Sequence, residues 1–387
     1  MTQLIKDQTA IVGIGQTRFG KPLEDSELSL ACQAIAQAIA DAGLQPSDID
    51  GLASFTMEDG REVDVARSVG LGDITYFAQV GYGGGAGCGV VGAAALAVAS
   101  GQCRHAVAWR ARKRAGRGSR IWAQTPNRIS GTYQYVRPFG ILRPVDEIGL
   151  LMRRYMHEFG ATRDHLANVA LAFRKHANRN PNAQMYEREL TRDQYMEARW
   201  ISEPLCLFDN CLETDGALAV VITSSERARD LRQDPVLIHS YAQGLPQQHS
   251  TMVNYFCDDP LVGPAWACAR RLWENSDLGP QDMSCAQIYD AFSPLIPLSL
   301  EGYGFCERGQ GASFTEDAAL EWPDGRLPTN TAGGGMSEAY VHGFNLVLEG
   351  VRQMRGTSTS QVKDASSCLV TSGEGVPTSA LVLRSAS

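Results

Sequence analysis

The chain has 387 residues, 35 Lys+Arg against 43 Asp+Glu for a formal charge of −8, 44% hydrophobic residues and 10 cysteines. At roughly 150 residues per domain this is two or three domains, or two halves around one large core, and a core of that size needs no disulfide or metal to hold it. The acidic balance argues against a sequence-independent grip on nucleic acid, which takes surplus positive charge. The longest apolar run, residues 89–99, falls far short of the ~20 residues of a membrane helix.

The N-terminal residues Met-Thr-Gln-Leu-Ile-Lys-Asp-Gln are polar and precede only a short apolar run, so we read no secretory leader and expect a soluble cytoplasmic protein. The cysteines, at 32, 88, 103, 206, 211, 257, 268, 285, 306 and 368, show no C-x-x-C spacing of the kind zinc or redox chemistry uses. Most read as small buried hydrophobes in a reducing compartment. Cys88, inside a glycine-rich segment, is the first candidate for a chemical role.

In chain order, Thr9 to Gly15 is a short β-branched run, and Ser29 to Ala42 repeats Ala and Ile at helical spacing. A Gln45-Pro46-Ser47-Asp48 loop leads to the apolar 51–55. The glycine cluster 81–89 opens an alanine-rich helix ending at Ser100-Gly101, and His105 to Trp109 reads as a strand. Strands alternating with helices predict an α/β fold. From about 110 to 200 the chain is Arg- and Tyr-rich, with helical patterns at 146–159 and 165–178, and reads as an inserted loop domain. Alternation resumes at 217–223, and the charged stretch 224–235 reads as a seam. Beyond it, Leu278-Gly279-Pro280-Gln281-Asp282 echoes Leu44-Gln45-Pro46-Ser47-Asp48, and a helix at 343–355 ends at Gly356 as the earlier one ends at Gly101. We expect a duplication, with halves at 1–230 and 231–387.

Five segments in order, Asn180-Pro181-Asn182-Ala183-Gln184, Pro204-Leu205-Cys206-Leu207-Phe208-Asp209, Glu213-Thr214-Asp215-Gly216-Ala217, Tyr289-Asp290-Ala291-Phe292 and Asn330-Thr331-Ala332-Gly333-Gly334, resemble the thiolase superfamily in its lipid-transfer-protein or sterol-carrier-protein branch. The resemblance spans about Thr9 to Leu383. It implies two βαβαβαββ halves in a five-layer αβαβα sandwich, with chemistry gathered where two central helices begin near Gly85 and Gly343.

At the catalytic positions the chain departs from that family. Gly85, in Gly85-Ala86-Gly87-Cys88, holds the nucleophile's place, and Cys88 falls one helical turn later, where a buried thiol is expected. Tyr340 matches the family's histidine and Tyr289 its second polar residue, while the second cysteine is missing from Leu369 to Gly375, Cys368 lying just upstream. The branch without a nucleophile includes the steroid side-chain-cleaving aldolases. The resemblance therefore implies a retro-aldol lyase acting on a 3-hydroxyacyl-CoA, 17-hydroxy-3-oxo-4-pregnene-20-carboxyl-CoA, to give androstenedione and propionyl-CoA. Tyr289 is assigned as base and Tyr340 as acid, the reverse remaining open. Backbone N–H groups near Gly85 and Gly373 are the candidate oxyanion donors, with Asp290, His342 and Cys88 in possible support.

Arg110, Arg112, Lys113, Arg114, Arg117 and Arg120 form a basic cluster that suits the phosphates of CoA or a solvated loop. Tyr133 and Tyr135 line the acyl pocket or pack the inserted domain. His105, His157, His165, His176, His239 and His249 show no metal-ligand spacing. No cofactor is expected beyond the CoA thioester as substrate. The resemblance also implies a homodimer through a sheet edge and a small OB-fold, rubredoxin-like partner in a heterotetramer. Two other readings stay open: a non-catalytic acyl-CoA or lipid carrier, and an acyltransferase using Cys88.

Overall fold

The β-branched run at the start of the chain becomes strand β1 (Thr9–Gln16) of a computed structural model that describes residues 5–113, 131, 133–249, 252 and 257–386. The first half continues with α1 (Glu27–Ala42), β2 (Gly51–Phe55), α2 (Glu62–Val69), β3 (Tyr76–Val80), α3 (Gly87–Ala99) and β4 (His105–Arg112). The inserted region carries α4 (Tyr133–Val136), α5 (Pro144–Phe159), α6 (Arg163–Ala177), α7 (Arg192–Glu197) and a hairpin of β5 (Trp200–Ser202) and β6 (Leu205–Cys206). Then β7 (Gly216–Ser224) and α8 (Ser225–Ala228) close the half. The second half holds β8 (Val236–Gly244), α9 (Pro264–Glu274), β9 (Cys285–Gln287), α10 (Leu295–Gly302), α11 (Gly334–Ser337), α12 (Phe344–Arg355), β10 (Ser367–Thr371) and β11 (Thr378–Ser385).

Hydrogen bonding runs in the order β3-β2-β4-β7-β1-β8-β11-β10-β9. Read outward from its centre, this is one pattern twice. In each half an innermost strand (β1, β8) pairs antiparallel with the last strand (β7, β11), which pairs antiparallel with the next (β4, β10), which runs parallel to the third (β2, β9). The halves touch edge to edge only at Ala10↔Leu237 and Ile11↔Val236, so two sheets meet as one nine-stranded surface. The two turns with similar sequences also take the same local form. Asp48 accepts the Gln45 N–H at 2.8 Å and Asp282 accepts the Gly279 N–H at 2.7 Å, each in a short 3-10 turn that delivers the chain to β2 or β9.

Helix α3 is buried on nearly every face, as expected of a central helix, and it contacts strands of both halves. So does α12. Helices α1 and α9 each cover the strands of one half from outside. Helix, sheet, helix, sheet, helix is the expected layering. Among the described residues no helix is long and apolar enough to cross a membrane.

The second half differs from the first at its edge. Where β3 lies beside β2, the second half has only an isolated parallel bridge, Ala286↔Thr329. Asn330, in a left-handed conformation (φ 52°), does the rest. Its Oδ1 accepts the Ile288 N–H at 2.7 Å and its Nδ2 donates to the Ile288 carbonyl at 2.8 Å. A side chain thus replaces a strand and fixes the residue before Tyr289. Asn330→Ala leaves both buried backbone groups unpaired, at about 1–3 kcal/mol each. We expect chemical denaturation to show a loss of at least ~2 kcal/mol, and an unchanged midpoint would refute this account.

Candidate active site

Tyr289 leaves the end of β9 with its N–H donated to Thr371 Oγ1 at 3.0 Å, and Tyr340 follows α11 with its N–H donated to Thr214 Oγ1 at 2.8 Å. The two phenols are 5% and 9% exposed and hydrogen-bond to each other, their rings 6.1 Å apart and tilted at 60°. They face a cavity of about 420 Å³ that Met57, Tyr82, Arg112, Met252, Phe292, Leu295, His342, Glu374 and Val376 also line. The Tyr289 ring has room only because of glycine. A Cβ on Gly84 would run into the Tyr289 hydroxyl, and one on Gly343 would stand 2.6 Å from its ring.

Asp290 turns the other way. Its carboxyl oxygens accept the N–H groups of Gly335 at 2.7 Å and Met336 at 3.1 Å. It therefore ties the Tyr289 loop to the start of the segment carrying Tyr340, and holds no group inside the cavity. Three of the five segments that carried the resemblance act in the same way: Asn330 holds the main chain of Ile288, just before Tyr289, Thr214 holds that of Tyr340, and Asp209 accepts from Tyr195, Ser293 and the Cys206 N–H.

His342 has a left-handed backbone (φ 51°) and stands edge-on to Tyr340, with ring centroids 5.6 Å apart. Arg110 Nη2 lies 3.2 Å from its Nδ1. A guanidinium only donates, so Nδ1 is the acceptor and the ring hydrogen sits on Nε2. Arg110 is wholly buried and packs over Phe55, its carbon 5.0 Å from the ring centre. Glu58 holds its other side at 2.6 Å and also accepts the Ala111 N–H at 3.0 Å. Burial pushes the Glu58 carboxyl up to about 7 while Arg110 pulls it down.

Several expected roles change here. Arg110 cannot bind CoA phosphates, because its charge is spent on Glu58 and His342 in the interior. Lys113 is also committed, donating to the Leu23 and Asp25 carbonyls. Arg112 lines the cavity, whereas Arg114, Arg117 and Arg120 lie outside the described residues. The Gly85 N–H donates to the Tyr82 carbonyl at 3.0 Å and the Gly373 N–H to the Gly84 carbonyl at 2.9 Å, so neither is free to hold an oxyanion. Cys88 is no nucleophile. It is buried, its thiol donates to the Val370 carbonyl at 3.4 Å, and burial pushes it up to about 12. Tyr133 and Tyr135 are 41% and 67% exposed and do not line the cavity.

Gly85 itself has a physical reason. A Cβ there would be driven into the carbonyl oxygen of Pro377, so the loop before β11 has closed over the space a cysteine side chain would need. The reading from sequence also missed two groups. Glu58, in the turn after β2, carries no signal of its own. Glu374 does, as an acid inside a glycine loop: its Oε2 accepts the Ala265 N–H at 2.7 Å at the start of α9, and burial pushes it up to about 8. Among the described residues no group of three His, Cys, Asp or Glu side chains is arranged to hold a metal ion.

The chain is 45% identical to the 17-hydroxy-3-oxo-4-pregnene-20-carboxyl-CoA lyase of Mycobacterium tuberculosis over 98% of its own length and 100% of the relative's. It is also 45% identical to the steroid side-chain-cleaving aldolase of Thermomonospora curvata, covering 97% of each chain. The chain belongs to the steroid side-chain-cleaving aldolases of the thiolase superfamily. It is a carbon-carbon lyase by family. Residues 247–383 match the family described as Thiolase C-terminal domain-like. A solved structure described as an Ltp2-ChsH2(DUF35) aldolase superposes with a TM-score of 0.93 at 44% identity, covering 99% of both chains.

Two measurements test this site. Introducing a cysteine at this position, Gly85→Cys, should create no acyl-enzyme and should cost roughly 1–3 kcal/mol or more from overpacking; a stable variant that incorporates an acyl label would refute the steric account. The buried carboxyls set a pH dependence. Burial holds Asp290 up to about 7 and Glu338 and Glu374 up to about 8. A raised carboxyl favours the fold below its ordinary range, and that contribution is lost as pH rises through 7 to 8. The melting temperature should therefore fall between pH 6 and 9, less steeply in Glu374→Gln; a flat or rising profile would contradict the assignment.

Proposed function

We propose that this aldolase cleaves a 17-hydroxy steroid 20-carboxyl-CoA, 17-hydroxy-3-oxo-4-pregnene-20-carboxyl-CoA, into androstenedione and propionyl-CoA. The observation that carries this reading is the hydrogen bond joining the Tyr289 and Tyr340 hydroxyls at the cavity wall. The full-length identity to relatives bearing that activity in their names supports it.

The two phenols form a closed proton path. The substrate hydroxyl gives its proton to Tyr289 as the bond between the carbinol carbon and the thioester α-carbon breaks, leaving a ketone and sending the electron pair into the thioester as an enolate. Tyr289 passes its own proton along the shared hydrogen bond to Tyr340, which gives its proton to the α-carbon. Each phenol ends as it began, no charge is stranded in the cavity, and the opposite direction balances equally well. Because the Gly85 and Gly373 N–H groups are used elsewhere, the donor to the growing enolate oxygen is the Nε2–H of His342, fixed in that tautomer by Arg110. The reaction needs no prosthetic group; CoA enters as part of the substrate.

The working assembly we propose is a homodimer through the edge strand β3, joined by a small OB-fold, rubredoxin-like partner into a cytoplasmic heterotetramer. Support comes from β3 itself, an edge strand whose Phe77 is 71% exposed, and from a partner protein in the description of the superposing aldolase. Tyr289→Phe and Tyr340→Phe each remove one hydroxyl and break the path. With the steroid thioester as substrate and its partner present, we expect ketone formation to fall 10²-fold or more in either variant. Wild-type turnover in both would overturn the mechanism, and tight thioester binding without any product from the wild type would make the protein a carrier.

A further inference from the structure

The cavity that holds the two phenols also holds an acid that the proton path does not use. Glu374 follows Gly373, where a Cβ would stand 3.3 Å from a carbon of the Tyr289 ring, and consecutive Cα atoms are only about 3.8 Å apart. Glu374 therefore lines the reacting end of the cavity. The residue is 5% exposed.

Its two carboxyl oxygens are treated differently. Oε2 accepts the Ala265 N–H at 2.7 Å. Oε1 enters no hydrogen bond among the described residues, yet it is not one of the polar atoms sealed away without a partner, so it is the oxygen that the cavity reaches. The titratable or charged groups that face the carboxyl are Cys268 of α9 and Tyr303 just after α10, with Arg112, Tyr289, Tyr340 and His342 along the same cavity. Burial pushes the carboxyl up, and the Ala265 N–H is all that opposes it; no cation does. A buried carboxylate with one oxygen unsupported is costly. A proton on Oε1 removes that cost and turns the group into an O–H donor facing the cavity.

We infer that Glu374 is a catalytic residue of the lyase step, the second donor, beside the His342 Nε2–H, to the enolate oxygen of the departing thioester. The inference rests on the aldolase reading. As the carbon-carbon bond breaks, its electron pair moves into the thioester and negative charge grows on that oxygen. The Glu374 O–H hydrogen-bonds to it and keeps its own proton. When Tyr340 protonates the α-carbon the charge leaves the oxygen, and Glu374 ends as it began. A donor of this kind acts on the transition state more than on the bound substrate.

Steady-state kinetics across pH, with the steroid thioester as substrate and the partner present, test this with two variants. Glu374→Gln keeps a donor on a side chain of the same length, and Glu374→Leu keeps only the bulk. We expect Glu374→Leu to lose about 10²-fold or more in kcat with KM nearly unchanged, and Glu374→Gln to stay within about tenfold of the wild type. Wild-type turnover should fall as pH rises through about 8, where the acid loses its proton, and that alkaline limb should be missing in Glu374→Gln. A purely structural role predicts no such difference between the two profiles. If Glu374→Leu does not fold, the two pH profiles decide by themselves. Wild-type kcat in Glu374→Leu, a Glu374→Gln as inactive as the leucine variant, or one alkaline limb shared by wild type and Glu374→Gln would each overturn the role. The two readings fail apart. A wild type that releases no ketone refutes the aldolase and this inference with it; an active lyase showing any of those three results refutes the role of Glu374 alone.

Discussion

One aromatic ring set between two main chains organises this molecule. Tyr289 comes from the second half, and its ring fills the space left by Gly84 of the first half and Gly343 of its own. Neither glycine could carry a side chain without expelling it. The contact is possible because α3 and α12 are packed together between the sheets, so their leading loops meet at one point. The Tyr289 hydroxyl is thereby pressed against that of Tyr340, and the hydroxyls of Thr371 and Thr214 hold the two main chains from behind. A close-packed interior resists small displacements, so packing holds the geometry of the pair.

Around the phenols, polar groups are fixed by other buried polar groups. Glu58 holds Arg110, Arg110 holds one nitrogen of His342, and the other nitrogen keeps its hydrogen. This chain is costly to desolvate in pieces, and breaking one link strands the next. The same logic explains why Asp290 faces away: its carboxyl accepts backbone N–H groups at α11 and keeps that titratable acid out of the cavity.

Much of this was written in the sequence, and the remainder has a physical reason for being hidden there. The helices at 27–42, 144–159 and 163–177 follow from spacing, and the two Pro-x-Asp turns could be read because an aspartate capping its own turn is a local event. Tyr289 and Tyr340 could be found because a known pattern flanks each. Arg110, by contrast, sits among basic residues and looks like one of a group. Its partners are 52 and 232 positions away, and nothing local separates a buried guanidinium from its solvated neighbours. The glycines misled for a related reason: residue type tells that a main chain can be approached, but not whether its N–H is already donated to a carbonyl.

The contact between Gly85 and Pro377 has a genetic consequence as well as a structural one. A single-nucleotide change can turn a glycine codon into a cysteine codon, so the route to a thiol at position 85 looks short. It is not, because the carbonyl of Pro377 now stands where the sulfur's carbon would attach. Any side chain at position 85 therefore requires moving a backbone, which one codon change cannot do.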